Sequence, residues 1–287
     1  MFRILQKTFR TGIITSGYPE SPAPLSRRFR GRPEFDLERW TDARPAADAC
    51  PAGAIEVRDQ DASRRVTVDY GRCVFCGECA AVSAGGAVRL TQEFELATRD
   101  RHKLAFTAEY ALNDDGTHRR LTSTSRPQEV GRMIRETAHR VFGRSLAIRE
   151  VDAGSCNGCE LEIIALNNPV YDIERFGIRF VASPRHADML LVTGPVTRNM
   201  ELALRKTYGA TPEPRLVVAV GACGISGGIF GTNYATLGGV DRVIPVDVYI
   251  PGCPPRPEAL LYGILLALGR IESVSRPAGS KAGAAAS

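Results

Sequence analysis

The chain has 287 residues, 44% hydrophobic and 24% charged, with a net charge of +5. That length can bury substantial cores in two small domains. No apolar run reaches membrane-spanning length, "MFRILQKTFRTGII" does not read as a secretory signal, and no aromatic–basic patch accompanies the mild positive charge. The expectation is a cytoplasmic protein with no nucleic-acid partner.

In chain order, a basic arm comes first. Residues 1–32 carry Arg3, Lys7, Arg10, Arg27, Arg28, Arg30 and Arg32 against one acid, Glu20. Such a segment either lies on an anionic surface or is a solvated arm. Eight cysteines follow, at 50, 73, 76, 79, 156, 159, 223 and 253. Tight C-x2-C spacings in a chain with no export pattern point to metal or cluster ligands, not to disulfides.

The first four cysteines are split. "GRCVFCGECAAVSAGGAV" holds Cys73, Cys76 and Cys79, and "DACPAGAIEV" holds Cys50 followed by Pro51. Bacterial ferredoxins repeat C-x2-C-x2-C-x3-C-P, and the last cysteine of each run ligates the cluster of the other. On that template one cluster falls on Cys73, Cys76, Cys79 and Cys50, and all four ligands are present. The other falls on Trp40, Ala43, Ala46 and Ser83, and all four are missing. Cys50 is therefore read as the distant fourth ligand of the triple, in a two-cluster domain that keeps one 4Fe–4S cluster. A four-thiolate zinc site is the competing reading. "GAIEV" and "GAVRL" are expected as short strands after the cluster loops.

Residues about 100–126 are polar, and "NDDGTHRRLTSTSRP" reads as a linker. "PQEVGRMIRETAHRVFG" has apolar residues at helical spacing. From 144 the texture changes. "SLAIREVDAG", "IRFVASP", "DMLLVTGPV" and "PRLVVAVGACGISGG" contain strands, and "TRNMELALRKTYG" is a helix stopped at Gly209. A further extended segment reaches Cys253 before a helix that starts on proline. Buried strands alternating with helices predict a parallel α/β sheet. Cys156, Cys159, Cys223 and Cys253 fall just past strand ends, where sites form in open sheets. The glycines around Cys223 suit a close approach of backbone to a cluster better than a phosphate loop. The tail "SRPAGSKAGAAAS" is expected to be disordered.

Four stretches carry a resemblance. "CNGCELEI", "SPRHADMLLVTGPVT", "GACGISGGIF" and "IPVDVYIPGCPPRPEALLYGILLALG" resemble the small electron-transfer subunit of membrane-bound nickel–iron hydrogenases of the formate hydrogenlyase type. The proximal-cluster subunit of complex I belongs to the same family. "TSGYP", "RFRGRPEFD" and "GRCVFCGEC" resemble the ferredoxin-like subunit of these complexes, complex I included. The resemblance implies an α/β, flavodoxin-like cluster domain over 144–272. It implies a small α+β ferredoxin-like domain with the basic arm over 1–100, a linker and helix over 101–143, and a disordered tail over 273–287. Two 4Fe–4S clusters are implied, one on Cys50, Cys73, Cys76 and Cys79, the other on Cys156, Cys159, Cys223 and Cys253. The implied role is that of a non-catalytic electron-transfer subunit of an oxidoreductase complex, peripheral on the cytoplasmic side of the cell membrane. Its partners would be a large hydrogenase-like subunit, or the complex I counterpart of that subunit, and membrane-embedded subunits. The alternatives are a quinone-reducing complex I (NADH-quinone oxidoreductase) type and a structural, non-redox cluster protein. Glu160 is the candidate for passing protons, against a plain helix-start role. Two departures stand out. The complex I member of the family has adjacent cysteines where this chain has Cys156-x2-Cys159, and the two parts occur here in one chain.

Overall fold

The computed structural model describes residues 2–125 and 145–274. The helix expected within 127–143 and the tail beyond 274 lie outside the described residues.

The C-terminal half is built on five parallel strands: β7 (Leu146–Asp152), β8 (Ile178–Phe180), β9 (Met189–Thr193), β10 (Leu216–Val220) and β11 (Val248–Ile250). Their order is β11-β10-β9-β7-β8, and every pairing is parallel. All five residues of β9 and of β10 are buried, as strands covered on both faces must be. On one face, Ile163 and Leu166 at and just beyond helix α4 (Gly158–Ala165) join Leu260, Leu261, Ile264 and Leu265 of helix α7 (Pro257–Val274). On the other, Leu204 of α5 (Arg198–Ala210) and Ile225 of α6 (Gly221–Ser226) pack on Leu190, Val192 and Val217. The expected flavodoxin-like sheet is thus present. Gly209 sits inside α5 and does not end it; the helix runs on to Ala210.

The N-terminal half holds helices α1 (Phe2–Thr11), α2 (Arg44–Asp48) and α3 (Glu78–Val82). Its strands are β1 (Pro33–Phe35), β2 (Ile55–Gln60), β3 (Ser63–Asp69), β4 (Val88–Leu90), β5 (Ala105–Leu112) and β6 (His118–Ser125). β1 pairs antiparallel with β4, and a second antiparallel sheet runs β2-β3-β5-β6. Trp40, Ala43 and Ala46, three of the four positions that lack cysteine, are core residues here, with Trp40 4.9 Å from the Phe35 ring. A tryptophan's bulk fills the core at the position where the ferredoxin template has a cysteine.

Residues 105–125 correct the linker expectation. β5 alternates buried Phe106, Ala108 and Tyr110 with outward Thr107 and Glu109, a half-buried strand pattern. β6 is polar because it is an edge strand. Its hydroxyls meet the outer face of β5: Thr107 and Ser125 share a 2.9 Å hydrogen bond, and Ser123 donates to Glu109 at 3.0 Å. The backbone ladder holds this hairpin together, and composition does not report it.

The two halves interlock. Tyr18 is 3% exposed within the C-terminal core, beside Phe94, and donates to Glu95 at 2.8 Å. The Ser16 N–H donates to the Val170 carbonyl at 2.7 Å, and Arg175 donates to the carbonyls of Ser16 and Tyr18. Thr98 forms a bridge with Tyr249 at the free edge of β11, and Leu104 is buried in the core under α5. Part of the basic arm is therefore a strap across the C-terminal sheet. α1 ahead of it leaves Ile4 and Phe9 exposed, as are Ile13 and Ile14.

Candidate iron–sulfur sites

The loops that carry the first four cysteines converge beside α2 and α3. Cys50 follows α2, and its sulfur accepts the Ala54 N–H at 3.2 Å. Cys73 follows β3, and its sulfur accepts the Phe75 N–H at 3.4 Å. Asp69 braces the entry to this loop. It takes the Gly71 N–H at 2.8 Å and two hydrogen bonds from Arg101 at 2.9 and 2.6 Å. Phe75 and Gly77 both adopt positive φ, +56° and +89°, so the backbone curls tightly around the sulfurs. Burial pushes the Cys73 thiol up to about 12, opposed by the Phe75 N–H and reinforced by Cys79, Cys50 and Cys76. Burial likewise pushes the Cys79 thiol up to about 11, with Cys76 and Cys50 adding to it. Cys50, distant in sequence, is near enough in the fold to raise both thiols.

The second four come from the carboxyl ends of β7, β10 and β11. Asp152 accepts the N–H groups of Gly154 and Ser155, both at 2.7 Å, and so turns the chain towards Cys156. Cys159 lies in α4, Cys223 in α6, and Cys253 just past β11. Burial raises the Cys159 thiol, with Glu160, Cys223, Cys253 and Cys156 adding to it. Burial raises Cys223 to about 11, followed by Cys253 and Cys156. Two glycines make room for the sulfurs. A Cβ on Gly221, at φ +77°, would sit 2.9 Å from the Cys159 sulfur, and one on Gly228, at φ +54°, 2.9 Å from that of Cys223. Only glycine combines that conformation with that approach.

The halves also meet at the sites. Ser226, three residues beyond Cys223, donates to the Gly71 carbonyl at 3.2 Å. Burial raises the Cys253 thiol first, then Cys156, then Cys76 of the other set. Val74 and Phe75 of one loop and Cys253 and Pro254 of the other line a single cleft.

Among the described residues no group of three or more His, Cys, Asp or Glu closes on a single metal ion. The fit to an iron–sulfur cluster is judged on donor chemistry and shape. Each set offers four free thiols, a partly buried setting, and loops of small residues that let backbone approach sulfur.

Glu160 turns inward and is buried. Thr193 of β9 donates to one carboxylate oxygen, and the other has no partner. Glu150 on β7 also buries an unpartnered oxygen, and burial, with Glu160 and Asp152 behind it, raises its pKa. Neither Glu150 nor Thr193 stood out in the sequence, because facing across a parallel sheet is a matter of register. Around the second set, Leu161, Ile164, Ile229 and Phe230 expose apolar side chains.

Residues 156–267 match the model of the family described as NADH ubiquinone oxidoreductase, 20 Kd subunit. The probable membrane-bound hydrogenase subunit mbhJ of Pyrococcus furiosus is 48% identical over 151 residues, 53% of this chain and 90% of that protein. The chain belongs to this family. Formate hydrogenlyase subunit 7 of Escherichia coli is 54% identical over 129 residues, 45% of this chain and 51% of that protein. An NADH-quinone oxidoreductase subunit of Citrifermentans bemidjiense is 49% identical over 125 residues, 44% of this chain and 73% of that protein. All four cysteines of the second set lie inside the span matched by the 20 Kd subunit family, and all four of the first set lie outside it. Proteins with these names are subunits of oxidoreductase complexes.

Proposed function

We propose that the chain is an iron–sulfur electron-transfer subunit of a membrane-associated, hydrogenase-like complex. Cys50, Cys73, Cys76 and Cys79 would hold one 4Fe–4S cluster, and Cys156, Cys159, Cys223 and Cys253 a second. Each cluster would take up and release single electrons. The carrying observation is that eight free thiols sit on loops of the two halves that meet, with Val74 and Phe75 of the first cysteine loop lining the same cleft as Cys253 of the second group. Residues about 1–125 form a ferredoxin-like unit in this reading, and 144–272 the unit that faces the large partner subunit. The exposed apolar side chains Leu161, Ile164, Ile229 and Phe230 beside the second set support that docking face. Glu160, with Glu150 behind it, is assigned to proton movement beside the second cluster.

The residues of the chain do three things here. The thiolates hold the clusters. Burial and N–H donors to sulfur, such as those of Ala54 and Phe75, set the electron affinity. The glycines keep the backbone close. Iron analysis and EPR of the anaerobically reconstituted chain are expected to give about eight irons and two reducible cluster signals. About four irons, or zinc alone, overturns the reading. Clusters that no mediator reduces would make them structural instead.

The described residues contain no helix long and apolar enough to cross a membrane. We assign membrane association to α1, whose Arg3, Lys7 and Arg10 accompany exposed Ile4 and Phe9. The full chain is expected to co-sediment with anionic vesicles and to be released by salt. Substituting all three cations by glutamine removes about 3 kcal/mol, a roughly hundredfold drop in binding. Equal binding to neutral vesicles overturns this assignment.

A further inference from the structure

Two thiol sets that exchange electrons must be held at a fixed separation, and they sit on different halves of the chain. The cleft where a loop of each set meets the other has a volume of about 180 Å³. Its walls are the Val74–Phe75 stretch of the first cysteine loop and the 251–256 loop of the second. A third segment enters between these walls: Phe29, Arg30 and Gly31, from the end of the N-terminal arm.

This segment touches both loops. The Arg30 guanidinium donates to the Cys76 carbonyl at 2.6 Å. The Phe29 ring receives the Arg256 guanidinium, 5.0 Å from its centroid. Arg256 lies three residues beyond Cys253, so Phe29 grips the second loop as Arg30 grips the first. Phe94 completes the clamp. It lies edge-on to Phe29 at 6.4 Å and 5.2 Å from the same guanidinium. Arg256 is itself fixed by a bidentate pair with buried Glu258, at 2.7 and 2.6 Å. The segment is anchored from behind as well. The N–H of Gly31 donates to Thr91 and that of Arg32 to Glu93, both at 2.9 Å. A Cβ on Gly31 would meet the Glu93 carbonyl oxygen at 2.4 Å, so only glycine lets the two stretches lie this close.

We propose that Phe29 and Arg30 are positioning residues that clamp the Cys76 loop to the Cys253 loop and thereby fix the path of electrons between the two clusters. The inference rests on the two-cluster reading above. A phenyl ring and a guanidinium do not ligate a cluster, so neither residue is a ligand. Arg30 is exposed and Phe29 half-buried, so neither is a pillar of a core. A cation–π contact and a charge-assisted hydrogen bond, each modest alone, act here on the same two loops.

The test uses the reconstituted full chain with both clusters reduced. Magnetic interaction between neighbouring paramagnetic clusters splits and broadens their EPR signals, and it weakens when their separation grows or becomes heterogeneous. The unaltered chain is expected to show the interaction. Phe29→Leu combined with Arg30→Gln keeps both clusters and their iron but loses the interaction, and electron transfer between the clusters slows in flash reduction. Arg30→Lys, which keeps a charged donor, restores most of it. Arg256→Gln, on the opposite loop, reproduces the loss if iron is retained. Full iron with an unchanged interaction in the Phe29→Leu, Arg30→Gln chain overturns the clamp and leaves the two-cluster reading standing. An unaltered chain with one cluster overturns both.

Discussion

Cys50→Ser is expected to cut the iron content from about eight to about four per chain and to remove one EPR signal while leaving the other unchanged. Cys50 is the test residue because it stands more than twenty residues from its triple and outside the span matched by the family. Its sulfur nonetheless lies where it influences Cys73 and Cys79. If serine at 50 leaves the iron at its original value, the set of four is wrong. The same thiols give the pH dependence. In the metal-free fold, burial raises Cys73 from its ordinary 9 to about 12 and Cys79 to about 11. A cluster needs thiolates, so its insertion displaces protons and is favoured by rising pH. Assembly followed by absorbance is expected to go further at pH 9 than at pH 7, and the Cys50→Ser chain is expected to respond less. The apoprotein behaves in the opposite sense. Neutral buried thiols stabilise it fully below pH 9, and that contribution is lost as pH rises through 11 to 12.

Gly221→Ala is expected to empty the second set and spare the first. Two effects combine at this position. The backbone sits at φ +77°, where a side chain costs about 1–2 kcal/mol. The new methyl would also stand 2.9 Å from the Cys159 sulfur, inside any ordinary contact. The Gly252 carbonyl lies 3.4 Å from the same point, already at ordinary contact, so the sulfur is the group that must give way. Iron should fall to about four per chain, with the signal of the first set intact. Gly116→Ala is the matched control. Its φ is +80°, yet nothing lies within 4 Å of a methyl there. It carries the same conformational cost in a hairpin turn and keeps all the iron. If the two alanine variants bind iron equally, Gly221 is a turn residue and not part of a cradle.

The strongest local signals in the sequence are the ones that hold in the structure. Apolar runs such as "LVVAV" are buried on both sheet faces, and the parallel order follows from them. The hairpin of 105–125 is not legible in the sequence because an edge strand such as "HRRLTSTS" is polar by necessity and resembles a linker residue by residue. Its partner β5 carried the readable alternation in Phe106, Ala108 and Tyr110, but alternation in one strand does not announce the neighbour. Glu160 was legible as a candidate, whereas its inward turn towards Thr193 was not, since α4 meets β9 only in the folded sheet.

By itself the sequence determined which eight sulfurs are available and which of them share a loop, at Cys73, Cys76 and Cys79 and at Cys156 and Cys159, because spacing within a loop is a local, covalent property. It also determined a parallel α/β half, because strands covered on both sides must be continuously apolar. Only the tertiary structure decided that the Val74–Phe75 stretch of the N-terminal half and the Cys253 loop of the C-terminal half line one cleft. That meeting depends on Tyr18, Ala97 and Leu104 being buried in the C-terminal cores and on Thr98 pairing with Tyr249. Burial and pairing between segments far apart in the chain are set by the shape of the whole fold, and no short stretch of residues encodes them.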